Sequence, residues 1–238
     1  MYKESLEDLE IRMRANLCYW KKHQASSFNS LHHNIITLSM CYQTKITKKK
    51  EEMQRHFDAR ISGLDEFDPS EVIKAFDFPK TPVITDEDQH LIQLYQWGLI
   101  PYWADASWNR TYTLNARIET LAEKPSFKKI TGNRCLILVN GFYEWQHVGN
   151  SKIKYEIGFD NELFALAGLY DHWADTKTYT VVTTEARGVM REIHNTKLRM
   201  PVALYSQHEM ESWLNGESVK PRFDFTTNPE LYQQQRLF

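Results

Sequence analysis

The sequence predicts an α+β domain rich in strands, with a curved or barrel-like, mostly antiparallel sheet and a few flanking helices. Three observations lead there. Apolar runs at "RCLILV", "GFYEWQ", "KIKYEIGF", "LFALAGLY" and "YTVVTT" follow closely on one another, with turn pairs Gly149-Asn150 and Asp160-Asn161 between them. Helical periodicity is confined to a few separated stretches. At 238 residues the chain can bury a real core without disulfide or metal staples.

Taken in order, residues 1–23 read as an amphipathic helix, with Ser5 and Asp8 as a cap and Leu9, Met13 and Leu17 at four-residue spacing. Residues 24–39 read as a linker, so 1–39 form a leader distinct in texture from the rest of the chain. "CYQTKI" reads as a strand. Thr47 is placed to cap a helix whose Met53, Phe57 and Ile61 form one stripe. Residues 63–71 are expected to loop, and Pro79 and Pro82 hold the next stretch extended. "LIQLYQWGLIP" is apolar until Gly98 and Pro101 break it. After the strand runs, "EARGVMREIH" reads as a helix, and a second helix opens on the capping box Ser206…Glu209 and stops near Gly216. The main domain is therefore expected over 40–216, with 217–238 a polar, irregular tail.

The totals exclude several classes. A formal net charge of −2 gives no bulk basic signal, so nucleic acid would need a local basic patch. The cysteines Cys18, Cys41 and Cys135 form an odd set with no CxxC, which suggests neither a disulfide framework nor zinc, and no metal or cofactor is expected. There is no run of about 18 apolar residues and no apolar signal core in "MYKESLEDLEIRMR". A cytoplasmic chain that avoids membranes is expected.

Four segments carry candidate chemistry, each with a plainer alternative. In "TLNARIET", Asn115 can offer an amide and Arg117 can grip a phosphate, or the segment is a polar turn. In "VNGFYEW", Glu144 sits among aromatics, where desolvation would raise its pKa and suit a general acid. Strand alternation instead makes it a surface residue. In "IHNTKLRMP", His194 can move protons near neutral pH and Arg199 can bind an anion, or both are structural. In "WGLIPYWADASW", Trp97, Trp103 and Trp108 beside Arg110 can stack unpaired bases, or they are core. Lys128, Lys129 and Arg134 could extend a phosphate-binding surface or be a solvated face, and Cys135 reads as a buried strand cysteine.

Together and in order, Met40-Cys41, "WGLIPYW", "NARIET", "RCLILVNGFYEW", "FALAGLY", "TVVTTEA" and "HNTKLRMP" resemble the SOS-response-associated peptidase (SRAP) family over roughly residues 40–215. The resemblance implies a β-rich fold with a positively charged groove for single-stranded DNA. It implies a covalent thiazolidine with the ring-opened aldehyde of an abasic site, made by a cysteine exposed when the initiator Met is removed. By matching motifs, that cysteine is Cys41, and the active-site Asn, Glu and His are Asn115, Glu144 and His194. Arg117 would contact DNA phosphate, and Trp97 and Trp103 would lie along the strand, with Arg110 and Arg199 as further DNA contacts. The implied partner is single-stranded DNA with abasic sites, met by a monomer associated with the nucleoid. The chain departs from the pattern at Tyr42-Gln43, where the family has Gly-Arg. It departs again at Asn195 to Leu198, which separate the His from Arg-Met-Pro.

The chemistry explains why the cysteine must be terminal. Only an N-terminal Cys carries an amine and a thiol on one residue, with reference pKa values near 7.7–8.0 and about 8.5. An internal cysteine has an amide nitrogen and can form only a reversible thiohemiacetal. Either translation starts at Met40 or the leader is cut away, with Cys41 as the nucleophile of that cleavage. The competing classes are a conventional cysteine peptidase using Cys41 and His194 on other proteins, and a noncatalytic single-strand-binding module.

Overall fold

The computed structural model describes residues 42–64 and 67–230. The leader, Cys18, Met40-Cys41 and the end of the tail lie outside the described residues. In chain order the first strands are β1 (Gln43–Ile46), β2 (Arg60–Ile61), β3 (Ser70–Lys74), β4 (Lys80–Thr85), β5 (Asp88–Trp97) and β6 (Asn115–Arg117). Then come β7 (Arg134–Val139), β8 (Gly141–Val148), β9 (Ser151–Gly158), β10 (Phe164–Trp173) and β11 (Thr176–Glu185). The last are β12 (Arg199–Pro201), β13 (Ala203–Leu204) and β14 (Thr226–Glu230). Among the described residues three α-helices intervene: α1 (Lys50–Phe57), α2 (Val189–Ile193) and α3 (Gln207–Leu214).

The strands form two sheets. The larger runs β12-β11-β10-β7-β4-β5-β2, with β13 on β10 and β6 on β11. Its two halves meet where β11 pairs in parallel with β5, Thr178 against Gln96 and Tyr179 against Trp97. That pairing closes β5, β4, β7, β10 and β11 into a ring. The fold is β-rich and partly barrel-like, as the strand spacing predicts. The smaller sheet runs β14-β9-β8-β1-β3 and is antiparallel throughout.

The ring interior is apolar and filled. Tyr95, Trp97, Ile137, Leu166, Tyr170 and Tyr179 are buried, and the Trp97 and Tyr179 rings stack with centroids 5.9 Å apart. Cys135 is buried in β7, and burial pushes its thiol well above the ordinary value. A Cβ on Gly168 of β10 would lie 2.4 Å from Ile137 Cδ1, 2.8 Å from Cys135 Sγ and 3.0 Å from the Thr180 carbonyl oxygen. Gly168→Ala is therefore expected to cost about 1–3 kcal/mol through overpacking, seen as a lowered denaturation midpoint.

Local chemistry sets several boundaries differently from the sequence reading. Helix α1 is capped at Lys49 rather than Thr47, and its stripe ends at Phe57, since Ile61 lies in β2. Thr47 instead bonds to Asn140: its N–H donates to Asn140 Oδ1 at 2.9 Å, and Asn140 Nδ2 donates to its hydroxyl at 2.9 Å. Pro82 sits inside β4, tolerated because β7 pairs with β4 only from Val83 onward. Helix α3 has the expected capping box, with Glu209 N–H on Ser206 Oγ at 3.2 Å and Ser206 N–H on Glu209 Oε2 at 2.9 Å. Residues 226–230, read from sequence as irregular tail, form edge strand β14 along β9. Lys154 Nζ on β9 reaches Glu230 at 2.7 Å across that edge.

Candidate active site

Glu144 lies in the buried half of β8, where Gly141, Phe142, Tyr143 and Glu144 are all shielded. Strand alternation fails here because both faces are covered. Tyr143 donates its hydroxyl to the Glu71 carbonyl at 3.0 Å on one side, while the Glu144 carboxyl points into protein on the other. Glu144 is 2% exposed, and its Oε1 has no hydrogen-bond partner among the described residues. Burial pushes its pKa to about 8, opposed only by a hydrogen bond from the Trp145 backbone. At neutral pH it is mainly a neutral acid.

His194 caps the C-terminus of α2. The helix is N-capped by Gly188, at φ 52°, and buries Met190 and Ile193. The His194 N–H donates to the Met190 carbonyl at 2.9 Å. The chain then turns through Leu198, which holds φ 52°. A bulky residue there is an outlier, secured by its own N–H on the His194 carbonyl at 3.0 Å and its carbonyl on the Ala186 N–H at 2.9 Å. This turn brings Arg199 back onto the imidazole. His194 Nδ1 lies 2.7 Å from the Arg199 carbonyl oxygen and 3.0 Å from the Arg199 nitrogen. The four intervening residues are thus looped out, and the ring sits against Arg199 despite the longer spacing.

Two contacts dock this turn on β8. Asn195 Nδ2 donates to the His147 carbonyl at 2.8 Å and its Oδ1 accepts the His147 N–H at 3.1 Å. Gln146 Nε2 donates to the Glu192 carbonyl at 3.2 Å. As a result His194 Nε2 faces Glu144 Oε2 at 3.9 Å, with both side chains almost fully buried. That is too long for a hydrogen bond. An enclosed neutral carboxyl beside an imidazole is a proton donor and acceptor pair of the kind general acid–base chemistry uses.

Asn115 starts β6, is 8% exposed, and pairs with Val181 of β11. Two residues on, Arg117 pairs with Thr183 and its side chain is exposed. The remaining expected site residues divide. Trp103 is half-buried, with its ring edge-on to Trp108 at 5.2 Å and its Nε1 donating to the Pro125 carbonyl at 3.4 Å. Lys128 and Lys129 are exposed, with Lys129 Nζ 5.4 Å from the Tyr102 ring centroid.

Four others are engaged within the protein. Trp97 has no exposed surface and donates Nε1 to the Leu114 carbonyl at 2.9 Å, so no DNA base can reach it. Arg110 donates Nε to the Gly98 carbonyl at 2.8 Å and Nη2 to the Trp97 carbonyl at 2.9 Å, with its guanidinium over Phe78. It caps the strand end that Gly98, at φ 95°, turns aside. Arg134 donates to the Trp213 and Glu217 carbonyls and lies over the Trp213 ring. Arg199 is 8% exposed and paired with Glu119. Sequence reasoning missed Glu119 and Asn195. The available signals were an acidic residue inside the "NARIET" block and an amide directly after the candidate histidine.

A family model described as SOS response associated peptidase (SRAP) matches residues 40–235. The chain belongs to the SRAP family. The match takes in β14. Among similar proteins is "Abasic site processing protein YoaM" of Bacillus subtilis, 38% identical over 149 residues, 59% of this chain and 64% of that protein. "Abasic site processing protein HMCES" of Gallus gallus is 32% identical over 167 residues, 58% of this chain and 49% of that protein. The SRAP chain thus spans less than two thirds of the length of these relatives. A solved structure from Bacteroides thetaiotaomicron superposes with a TM-score of 0.71 at 31% identity, covering 79% of this chain and 91% of that one. Among the described residues no helix is long and apolar enough to cross a membrane.

Proposed function

We propose that this SRAP chain acts on single-stranded DNA at abasic sites, forming a covalent thiazolidine through Cys41 once that residue is N-terminal. The observation that carries the reading is the buried Glu144 carboxyl facing His194 at 3.9 Å. The relatives' names support the substrate class. Cys41 lies outside the described residues, but it is bonded to Tyr42, which directly precedes β1. Gln43 of β1 pairs with Tyr143, the neighbour of Glu144. Tyr42, the residue that follows Cys41 in sequence, thus leads directly into the strand paired with β8.

In the proposed sequence, the Cys41 amine attacks the sugar aldehyde carbon and gives a carbinolamine. Glu144 donates a proton to the departing hydroxyl, which leaves as water with formation of the imine. The thiol sulfur then adds to the imine carbon and its proton passes to nitrogen, closing the five-membered ring with a net loss of one water. His194 exchanges protons with the sugar oxygen, and Asn115 steadies the cysteine backbone and the intermediate. Arg117, exposed on β6, meets a phosphate, and Trp103 offers a ring to a neighbouring base.

The test uses protein beginning at Cys41 and single-stranded oligonucleotides with and without one abasic site. A denaturation-resistant complex is expected only with the abasic strand, and its formation should weaken with salt at subsaturating DNA. Equal affinity for both strands with no covalent complex would instead identify a binding module.

A further inference from the structure

We propose that Glu119 is a positioning residue for His194, acting through Arg199. The inference rests on the acid–base role proposed for His194. Arg199 donates Nη1 to Glu119 Oε1 at 3.0 Å and Nη2 to Oε2 at 2.8 Å, a two-pronged pair. Nη2 also donates to the Thr183 carbonyl at 2.8 Å. Glu119 is itself aimed by the Thr184 hydroxyl at 3.1 Å and the Glu185 N–H at 3.3 Å. Its carboxylate therefore ties the turn after β6 to β12, where Arg199 pairs with Glu185 of β11.

The consequence falls on the imidazole. Its Nδ1 touches both the N–H and the carbonyl of the residue that Glu119 holds. In the neutral ring the carbonyl contact requires the proton on Nδ1, which leaves Nε2 unprotonated on the side of Glu144. The amide contact requires the reverse. A shift of the Arg199 main chain by a few tenths of an ångström trades one tautomer for the other. Without the Glu119 carboxylate, the guanidinium, whose side chain is 10% exposed, loses its counter-ion and is driven toward water. Its backbone moves with it, and the ring's proton arrangement follows.

The test compares Glu119→Gln and Glu119→Asp with the parent, as the full chain and as the form beginning at Cys41. Long-range ¹H–¹⁵N spectra report the tautomer of His194, assigned by the signals lost in His194→Asn. Glu119→Gln is expected to change the His194 nitrogen pattern, and Glu119→Asp to restore it in part. Thr184→Val, which loosens Glu119 but leaves it paired, should shift the pattern less in the same direction. That keeps a readout should Glu119→Gln fold poorly. Adduct formation at saturating abasic DNA should slow about tenfold in Glu119→Gln, while affinity for an intact strand changes less than about twofold. An unchanged His194 pattern overturns the proposal. So does altered affinity with an unchanged saturated rate, which would make the Glu119–Arg199 pair part of the DNA contact. The spectral arm needs no DNA, so its failure is separable from failure of the abasic-site reading.

Discussion

Glu144→Gln is expected to slow covalent capture of abasic DNA about a hundredfold. The amide keeps the shape of the neutral carboxyl but cannot deliver a proton to the departing hydroxyl. The pH profile should change with it. In the parent, deprotonation of the terminal amine and thiol raises the rate with pH, while loss of the Glu144 proton near pH 8 lowers it. The substituted protein should lose that descending limb. Stability gives an independent check. A carboxyl held protonated in the fold, with a pKa raised from 4.5 to about 8, stabilises the native state below its unfolded value and loses that contribution as pH rises. Each pKa unit is worth about 1.4 kcal/mol. The parent should therefore lose several kcal/mol between pH 5 and pH 8, read from denaturant midpoints. Glu144→Gln should lose much less. A parent protein equally stable at both pH values would mean that Glu144 is ionised in the fold, and the proton-donor role would fail.

Cys41→Ala should abolish the denaturation-resistant complex, because ring closure needs both of that residue's nucleophiles, amine and thiol, and Ala keeps only the amine. Cys41→Ser separates the two. The amine survives and can form an imine, so borohydride should trap a complex that is otherwise reversible. Acetylating the new N-terminus should do the opposite, leaving a thiol that gives only a labile adduct. Intact mass of protein made from its native locus tests the same chemistry from the other side. A mature chain that starts at Met1 would leave Cys41 with an amide nitrogen and remove the mechanism. A Cys41→Ala protein that still crosslinks would do so as well.

Much of the fold was readable because its strands are short apolar runs separated by turn dipeptides, a local signal. Ring closure was not. The pairing of Gln96 and Trp97 with Thr178 and Tyr179 joins distant segments through backbone register, which side-chain patterning does not encode. Strand β14 escaped because "TTNPE" is polar and contains proline, a composition suited to an exposed edge. At the site, the candidate Glu144 was legible, but its burial was not, since alternation assumes one wet face and β8 has none at that point. The internal partners of the arginines were not legible, for a physical reason. A guanidinium binds a carbonyl or a carboxylate as readily as a phosphate, and sequence cannot say which partner is nearest. Arg110, Arg134 and Arg199 found theirs within the protein.

The parallel contact between β5 and β11 also dictates a timetable. Chains leave the ribosome at roughly 5–20 residues per second, and the segment carrying Tyr179 follows Trp97 by the whole length of the intervening strands. Until it emerges, the earlier hairpins have unsatisfied borders and an uncovered apolar interior. The histidine turn comes later still. Nascent polypeptide thus has sticky borders to shield until β11 emerges, and demand for chaperones should peak just before that point.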